Sequence, residues 1–584
     1  MSIATYPEEG SRVGPAPRLK IAACLIVTCL IAGKADAQAL PDAGTLMREA
    51  QRAPPAPPAR ETSASPPPTT TAAPATTVRD GGLRFTVQRF RIVGNSLVPD
   101  VDLQDVLHPW LHRSIGFLDL EQAASAVSEV YARRGWYVRT QWPEQDIHDG
   151  QVTLNVIEGK LGKVRLDSGS EPLRLKQEVA IGMVTARQRP GEPLKLGNLE
   201  RATQLLNDTP GVQATVALTT GEHPGEADVI VHARNKPLVT GALQLDNHGA
   251  RSTGDKRLGA SANLDNGTGR GDQAALNSLV SEGSTYLKLS YALPFGNDGL
   301  RVSMNTSWMR YRLLHEFAAL QAQGDARSVG LSGSYPLVRS ASSNLTVQGS
   351  LEQRQYVNQA NGIETSHKRH QAWQLALNGD AADLADPGTF TVWGLALTAG
   401  HVNLAGNAVN QAADQAGPRT EGRFTKLGAN LARLQSLGSH TGLWLSGAAQ
   451  VAGKNLDSSE KFSLGGAHGV RAYPALEGQG DGGWLGNVEL RQQLRPDLRG
   501  LVFYDHGRVQ VNRDPGYPGA PALNNYALRG YGLGLSWQLP GGHALRAMVA
   551  RRLGSNPAAN TTTGMDSDGS KTGSRFWLSG IVYL

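Results

Sequence analysis

The chain has 584 residues, a formal net charge of +6, 18 % charged residues and 68 glycines. That length allows several domains, and so modest a charge makes no concentrated basic face, which excludes nucleic acid as a partner. Past the N-terminal segment there is no run of about twenty apolar residues, so no transmembrane helix is expected there.

In chain order, Arg18 and Lys20 precede an apolar run over 21–32, and Ala35 and Ala37 then offer small residues for cleavage. Charged, apolar, small is the order of a secretory signal peptide, read here as residues 1–37. The polar stretch upstream of Arg18 predicts a translation start later than Met1. Both cysteines, Cys24 and Cys29, fall inside the leader, so the mature chain has no disulfide or thiol chemistry. A short helix is predicted within 38–53, with Asp42 as N-cap and a basic last turn. Residues 54–80, rich in Pro, Thr, Ser and Ala, cannot bury a core and read as an extended linker.

Residues 81–159 form a first folded unit. The alternation of Phe85, Val87, Arg89 and Arg91 with Thr86, Gln88, Phe90 and Ile92 is a strand; 102–111 and 120–134 have helical spacing; Gly135 ends the second helix. A strand entered at Trp136-Tyr137 and another at 152–158 close a β-α-α-β-β order. The same order repeats over 160–236, with a helix at 197–207 and strands at 212–219 and 227–233, so the two units are a tandem pair.

From 237 to 584 no helix of normal length is predicted. Val239, Gly241, Leu243 and Leu245 alternate with Thr240, Ala242, Gln244 and Asp246; Thr285, Leu287, Leu289 and Tyr291 alternate with Tyr286, Lys288, Ser290 and Ala292. About sixteen such strands follow one another. A soluble sheet would turn an apolar face inward, whereas here the second face is Thr, Gln, Asn, Ser, Asp, Lys and Glu throughout. Apolar outside and polar inside suits an antiparallel transmembrane barrel. The fold class is therefore two periplasmic α+β domains joined to an all-β membrane barrel of about 16 antiparallel strands.

Several segments resemble the TpsB transporters of two-partner secretion, within the superfamily that includes BamA-type assembly proteins. They are Gln145-Asp146-Ile147 with the run from Gly150 through Gly159, Leu245-Asp246-Asn247-His248-Gly249, the turn from Asn263 to Gln273, Val470-Arg471-Ala472-Tyr473, and Phe503-Tyr504-Asp505-His506-Gly507. The resemblance covers essentially the whole mature chain and makes the two soluble units POTRA domains. It implies a protein of the Gram-negative outer membrane, with its POTRA domains in the periplasm. Such a protein passes an unfolded partner exoprotein of haemolysin or adhesin type to the surface without ATP. It implies a helix that plugs the pore, and a long loop folded into the pore whose tip comprises Gly465, Gly466, Val470, Arg471, Ala472 and Tyr473. Ala472 stands where the family usually has Gly. Phe503, Asp505 and Gly507 match the family's F-x-D-x-G strand, and the chain ends in Leu584 where the family usually ends in Phe.

An Arg buried in a wet barrel needs an anionic partner, and Asp505 is the candidate for Arg471. Cargo is expected to add a strand to a POTRA edge, in the second unit beside its last strand, 227–233. Further partners expected are outer-membrane lipids and the barrel assembly machinery that inserts the chain. The segment from Gly249 to Lys256 imitates a P-loop, but Asp255 interrupts the Gly-Lys pair. No Gly-x-Ser-x-Gly elbow or His-Glu-x-x-His helix occurs. No enzymatic activity, cofactor or metal is expected. Two other readings keep the barrel: a BamA-like insertase, which usually carries more POTRA units, and a passive porin or receptor, which needs none.

Overall fold

The computed structural model describes residues 40–52, 84–169, 171–383, 385–386 and 388–584. The leader at 1–37 and the linker at 54–80 lie outside the described residues. Helix α1 (Ala43–Gln51) is capped by Asp42, whose carboxylate accepts from Thr45 N–H at 2.9 Å.

The first unit contains β1 (Arg89–Val93), α2 (Asp100–Leu107), α3 (Phe117–Arg133), β2 (Val138–Gln141) and β3 (Gln151–Glu158). At the end of α3, Trp136 N–H donates to Tyr131 and Gly135 N–H to Ala132. Gly135, at φ 79°, supplies the left-handed residue this Schellman turn needs. Strand β3 is central, parallel to β1 and antiparallel to β2. The helices cover one face through Leu103, Leu107, Val127 and Tyr131 against Phe90, Val152, Leu154 and Val156.

The second unit repeats the plan with β4 (Lys160–Asp167), α4 (Gln177–Thr185), α5 (Leu196–Asp208), β5 (Val212–Thr220) and β6 (Glu226–Asn235). Its sheet order is β4-β6-β5. The expectation that cargo adds beside 227–233 is corrected here. Those residues lie in β6, which is hydrogen-bonded on both sides, to β4 in parallel and to β5 antiparallel. The sheet edges belong to β4 and β5. The start of β4 is covered as well: Leu161 N–H donates to Glu192 O at 3.0 Å, and Leu161 O accepts from Gly191 N–H at 2.7 Å.

Sixteen antiparallel strands then close a barrel. In chain order they are β7 (Val239–Asp246), β8 (Arg257–Asp265), β9 (Gln273–Ser281), β10 (Ser284–Pro294), β11 (Arg301–Arg312), β12 (Gln323–Arg339), β13 (Ser343–Ala360) and β14 (Ile363–Ala382). The second half is β15 (Phe390–Asn403), β16 (Gly422–Ser436), β17 (Thr441–Ala452), β18 (Gly482–Arg495), β19 (Leu498–Gln510), β20 (Asn525–Gln538), β21 (Ala544–Arg552) and β22 (Ser574–Tyr583). The outward set is apolar, with Val239, Leu245, Leu289, Met304, Leu351 and Trp373 exposed, while Asp246, Ser328 and Lys368 are buried on the inner face. Strands β12 to β14 have 17, 18 and 20 residues, well beyond the roughly ten that a tilted strand needs to cross a bilayer.

Strand β7 starts directly below the second soluble unit, which places that rim at the periplasm. The unit is fastened there. Arg201 donates to the carbonyls of Pro336 and Asp298 at 2.7 and 3.0 Å, and Arg187 pairs with Asp298 at 2.9 Å. Arg339 pairs with Asp208 at 2.6 Å.

Candidate functional site

The segment between β17 and β18, residues 453–481, does not stay outside. It turns back into the lumen and buries Leu464, Val470, Ala472 and Tyr473 against Leu485, Leu501, Phe503 and Leu528 of the wall. The tip is a tight double turn: Val470 N–H donates to Leu464 at 2.7 Å, Gly466 to Tyr473 at 3.2 Å and Tyr473 to Val470 at 3.0 Å. Two glycines are sterically required. A Cβ at Gly469 would meet Leu464 O at 1.9 Å, and one at Gly465 would meet Pro474 O at 2.2 Å. Gly466 has φ 103°, where a side chain would be strained. Ala472 is not among the residues with positive φ. Its methyl instead faces Gly530 of β20, where a Cβ would come within 2.6 Å. The wall has a glycine opposite the position where the loop lacks one.

Arg471 is 3 % exposed and Asp505 is 0 % exposed. The guanidinium grips Asp505 with two bonds, Nε to Oδ2 at 2.9 Å and Nη2 to Oδ1 at 2.6 Å, and the Arg471 backbone N–H adds a third at 3.0 Å. Such a fork suits a carboxylate better than a lysine could. The Phe503 ring lies 3.5 Å under the guanidinium carbon. Gly507 makes room for the loop: a Cβ there would sit 2.6 Å from Leu464 Cδ2. The residues expected from the two motifs therefore meet, and each of Phe503, Asp505 and Gly507 has a separate physical task.

The structure adds partners that sequence reasoning missed. Arg471 Nη1 donates to Glu489 Oε1 of β18 at 2.6 Å, and Arg491 holds the other oxygen of Glu489 at 2.6 Å. Asn487 donates to Asp505 at 2.8 Å and to Gly469 O at 3.2 Å. Trp577 of β22 donates its indole N–H to Arg471 O at 2.8 Å. The loop tip thus joins β18 and β19 to the barrel's closing strand. Asn487, Glu489 and Arg491 form the inward series of an alternating strand, the one sign that could have singled out Glu489.

Helix α1 lies in the same lumen, against the extracellular half of the wall. Ala43, Leu46 and Met47 pack on Tyr286, Met309, Tyr311 and Tyr356. Asp42 accepts from Lys368 at 2.9 Å and from Ser458 at 2.6 Å, and Lys368 is shared with Asp457 at 2.8 Å. Arg48 donates to the carbonyls of Ser458, at 2.9 Å, and Lys461. The helix is therefore held by the base of the inserted loop as much as by the wall. The P-loop imitation at 249–256 holds a three-residue turn, Arg251–Thr253, with no helix after it.

The family profile described as haemolysin secretion/activation protein ShlB/FhaC/HecB matches residues 225–537, and that of the POTRA domain, ShlB-type, matches 85–159. The chain is 26 % identical over 498 residues to the heme/hemopexin transporter protein HuxB of Haemophilus influenzae, across 83 % of this chain and 86 % of that one. It is 25 % identical over 437 residues to the outer membrane transporter CdiB of Dickeya dadantii, across 72 % and 75 %. The solved structure of CdiB from Escherichia coli covers 98 % of this chain and 100 % of its own with a TM-score of 0.67; at 20 % identity the likeness is one of fold.

Proposed function

The chain belongs to the haemolysin secretion/activation family of outer-membrane transporters, and on that premise we propose that its partner exoprotein is received unfolded and threaded through the lumen past the inserted loop, without ATP. It is an outer-membrane transporter of a secreted exoprotein, with its POTRA domains in the periplasm of a Gram-negative cell. The observation that carries the finer reading is the tie from Arg471 to Asp505 and Glu489. A loop tip whose buried ionic tie to the wall centres on one side chain can be docked or released as a unit, which an open porin does not need.

Residues 465–473 are then the tip of a resting obstruction, with Phe503, Asp505 and Gly507 as its seat. The helix within 38–53 is the second obstruction; a Pro-rich stretch as long as residues 54–80 can reach about 3 Å per residue, enough for the helix to leave the lumen. Residues 81–159 and 160–236 receive the cargo at sheet edges, with β5 the candidate edge in the second unit. Main-chain hydrogen bonds there offset part of the ordering cost of an unfolded segment. No ATP exists outside the inner membrane, so cargo folding at the surface drives the passage. The barrel assembly machinery and outer-membrane lipids serve the chain's own insertion. No step calls for a catalytic residue, a cofactor or a metal.

Deleting residues 42–52 should raise single-channel conductance in planar bilayers while secretion continues; unchanged conductance would mean the helix does not obstruct the pore. Deleting the whole gene separates this reading from an insertase. A transporter's loss removes one exoprotein from the surface, whereas an insertase's loss lowers many barrel proteins together.

A further inference from the structure

We propose that Arg310, Arg327 and Arg369 form a site on the outer wall of the barrel for the phosphate groups of an outer-leaflet glycolipid, lipopolysaccharide. Each of these residues sits in sequence between two buried, lumen-facing residues: Met309 and Tyr311, Ala326 and Ser328, Lys368 and His370. Side chains alternate along a strand, so all three arginines point out of the barrel, and all three are exposed.

The strand register brings them together. Trp308 of β11 is paired with Arg327 of β12, Arg327 with Gln355 of β13, and Gln355 with Arg369 of β14. One row across four neighbouring strands therefore reads Trp, Arg, Gln, Arg. Neighbouring strands lie about 4.8 Å apart, so Arg327 and Arg369 root about 10 Å from each other, within reach of one phosphorylated headgroup. Arg310 stands two residues above Trp308, with its guanidinium 5.4 Å over the indole. The acidic neighbour is Asp325, which pairs with Arg310 at 3.1 Å. Arg327 and Arg369 have no side-chain hydrogen bond or ion pair among the described residues.

Height in the membrane fits the ligand. Gly379 of β14 lies in a row with Leu345 and Trp393 at the periplasmic end. Arg369 is ten residues further toward the surface, and ten residues at about 3.4 Å each on a strand tilted about 40° climb roughly 25 Å, the height of the lipid-facing band. Between them the outward residues include Trp373 and Leu375, both exposed and apolar. The arginines therefore emerge where the apolar band ends, on the extracellular side. At the other end of these strands the outward positions hold Val302 and Leu345. A guanidinium matches a phosphate with two parallel hydrogen bonds, and an indole such as that of Trp308 belongs at headgroup depth. Outward Arg508, Arg529 and Arg551 on β19 to β21 repeat the charge but not the Trp-Arg-Gln-Arg row.

The test uses the full-length protein in detergent, titrated with lipopolysaccharide, with dephosphorylated lipopolysaccharide and with inorganic phosphate, and read by native mass spectrometry. The triple variant Arg310→Ala, Arg327→Ala, Arg369→Ala, confirmed as a heat-modifiable barrel, should bind intact lipopolysaccharide about a hundredfold more weakly, at roughly fivefold per arginine. If the triple variant does not fold, Arg327→Ala and Arg369→Ala alone should each lose about fivefold. Binding within threefold of the native protein would overturn the site. So would equal binding of the dephosphorylated lipid, or displacement of the lipid by inorganic phosphate at equal phosphate concentration, which would make free phosphate the ligand.

Discussion

Replacing Arg471 by Ala should free the loop tip without unfolding the barrel, and the size of the effect follows from what is left behind. The variant removes two bonds to Asp505 and one to Glu489. Breaking a buried ion pair by removing one partner costs about 3–5 kcal/mol. Here the stranded carboxylates keep some partners: Asp505 keeps Asn487 and the backbone N–H of residue 471, and Glu489 keeps Arg491. The low end, about 3 kcal/mol, therefore applies, and it raises the opening constant of the loop about a hundredfold. Cys24 and Cys29 are the only cysteines in the sequence, so replacing both by Ser gives a clean background for a probe. A cysteine at Ala467, which is 6 % exposed, should react with a maleimide about a hundredfold faster in the Arg471→Ala background. Exoprotein secretion should fall while heat-modifiability stays. Labelling within threefold of the parent would refute the reasoning. Glu489 also settles a charge swap: Arg471→Asp with Asp505→Arg places the new carboxylate against Glu489, so rescue should appear only with Glu489→Gln added.

On the barrel wall, Leu287→Arg, facing lipid, should cost about 2–4 kcal/mol of barrel stability while Ser290→Arg, facing the lumen, should cost little; equal loss of folded barrel in both would show a wrong register. Deleting residues 582–584 removes the pairs of Val582 with Leu243 and Tyr583 with Ala242, and the bond from Leu584 N–H to Gly241 O at 2.9 Å. Surface levels of the chain should drop, and unchanged levels would deny the final strand its assembly role. In the first soluble unit, burial alone would raise the Glu158 carboxyl, but hydrogen bonds from Ser96, Leu97 and Tyr131 outweigh it and hold it below its usual 4.5. A depressed carboxyl stabilises above its unfolded value and loses that contribution as pH falls through the folded one. Protection factors of the Ser96 and Leu97 amides should therefore decline only below about pH 4.5, and Glu158→Gln should remove that decline.

The barrel could be read from the chain because side-chain alternation is a local property: Val239, Leu243 and Leu245 against Gln244 and Asp246 already assign both faces. The pairing of Arg471 with Asp505 was reachable because a buried cation needs an anion and the motifs left one candidate. Glu489, on the strand that follows the loop, was signalled only by its place in an inward alternating series; Trp577 was not reachable, since its contact with the tip arises only when the loop folds back against the closing strand. The task of Gly507 was hidden for the same reason; it becomes visible only with Leu464 against it. Strand order misled the reading of the second soluble unit. Nothing local in residues 227–233 distinguishes a central strand from an edge, and the parallel partner β4 lies some sixty residues upstream. The anchoring of Asp42 by Lys368 likewise joins segments more than three hundred residues apart.

The central claim is that the exoprotein crosses through the lumen, and site-specific photo-crosslinking during secretion tests it most directly. Gln348 faces inward on β13, and Leu351, on the same strand, faces the lipid at 61 % exposure. With a photo-reactive residue at 348, the exoprotein in transit should be captured, and with one at 351 it should not. Capture from 351 as efficient as from 348, or capture from neither while secretion proceeds, would contradict passage through the barrel.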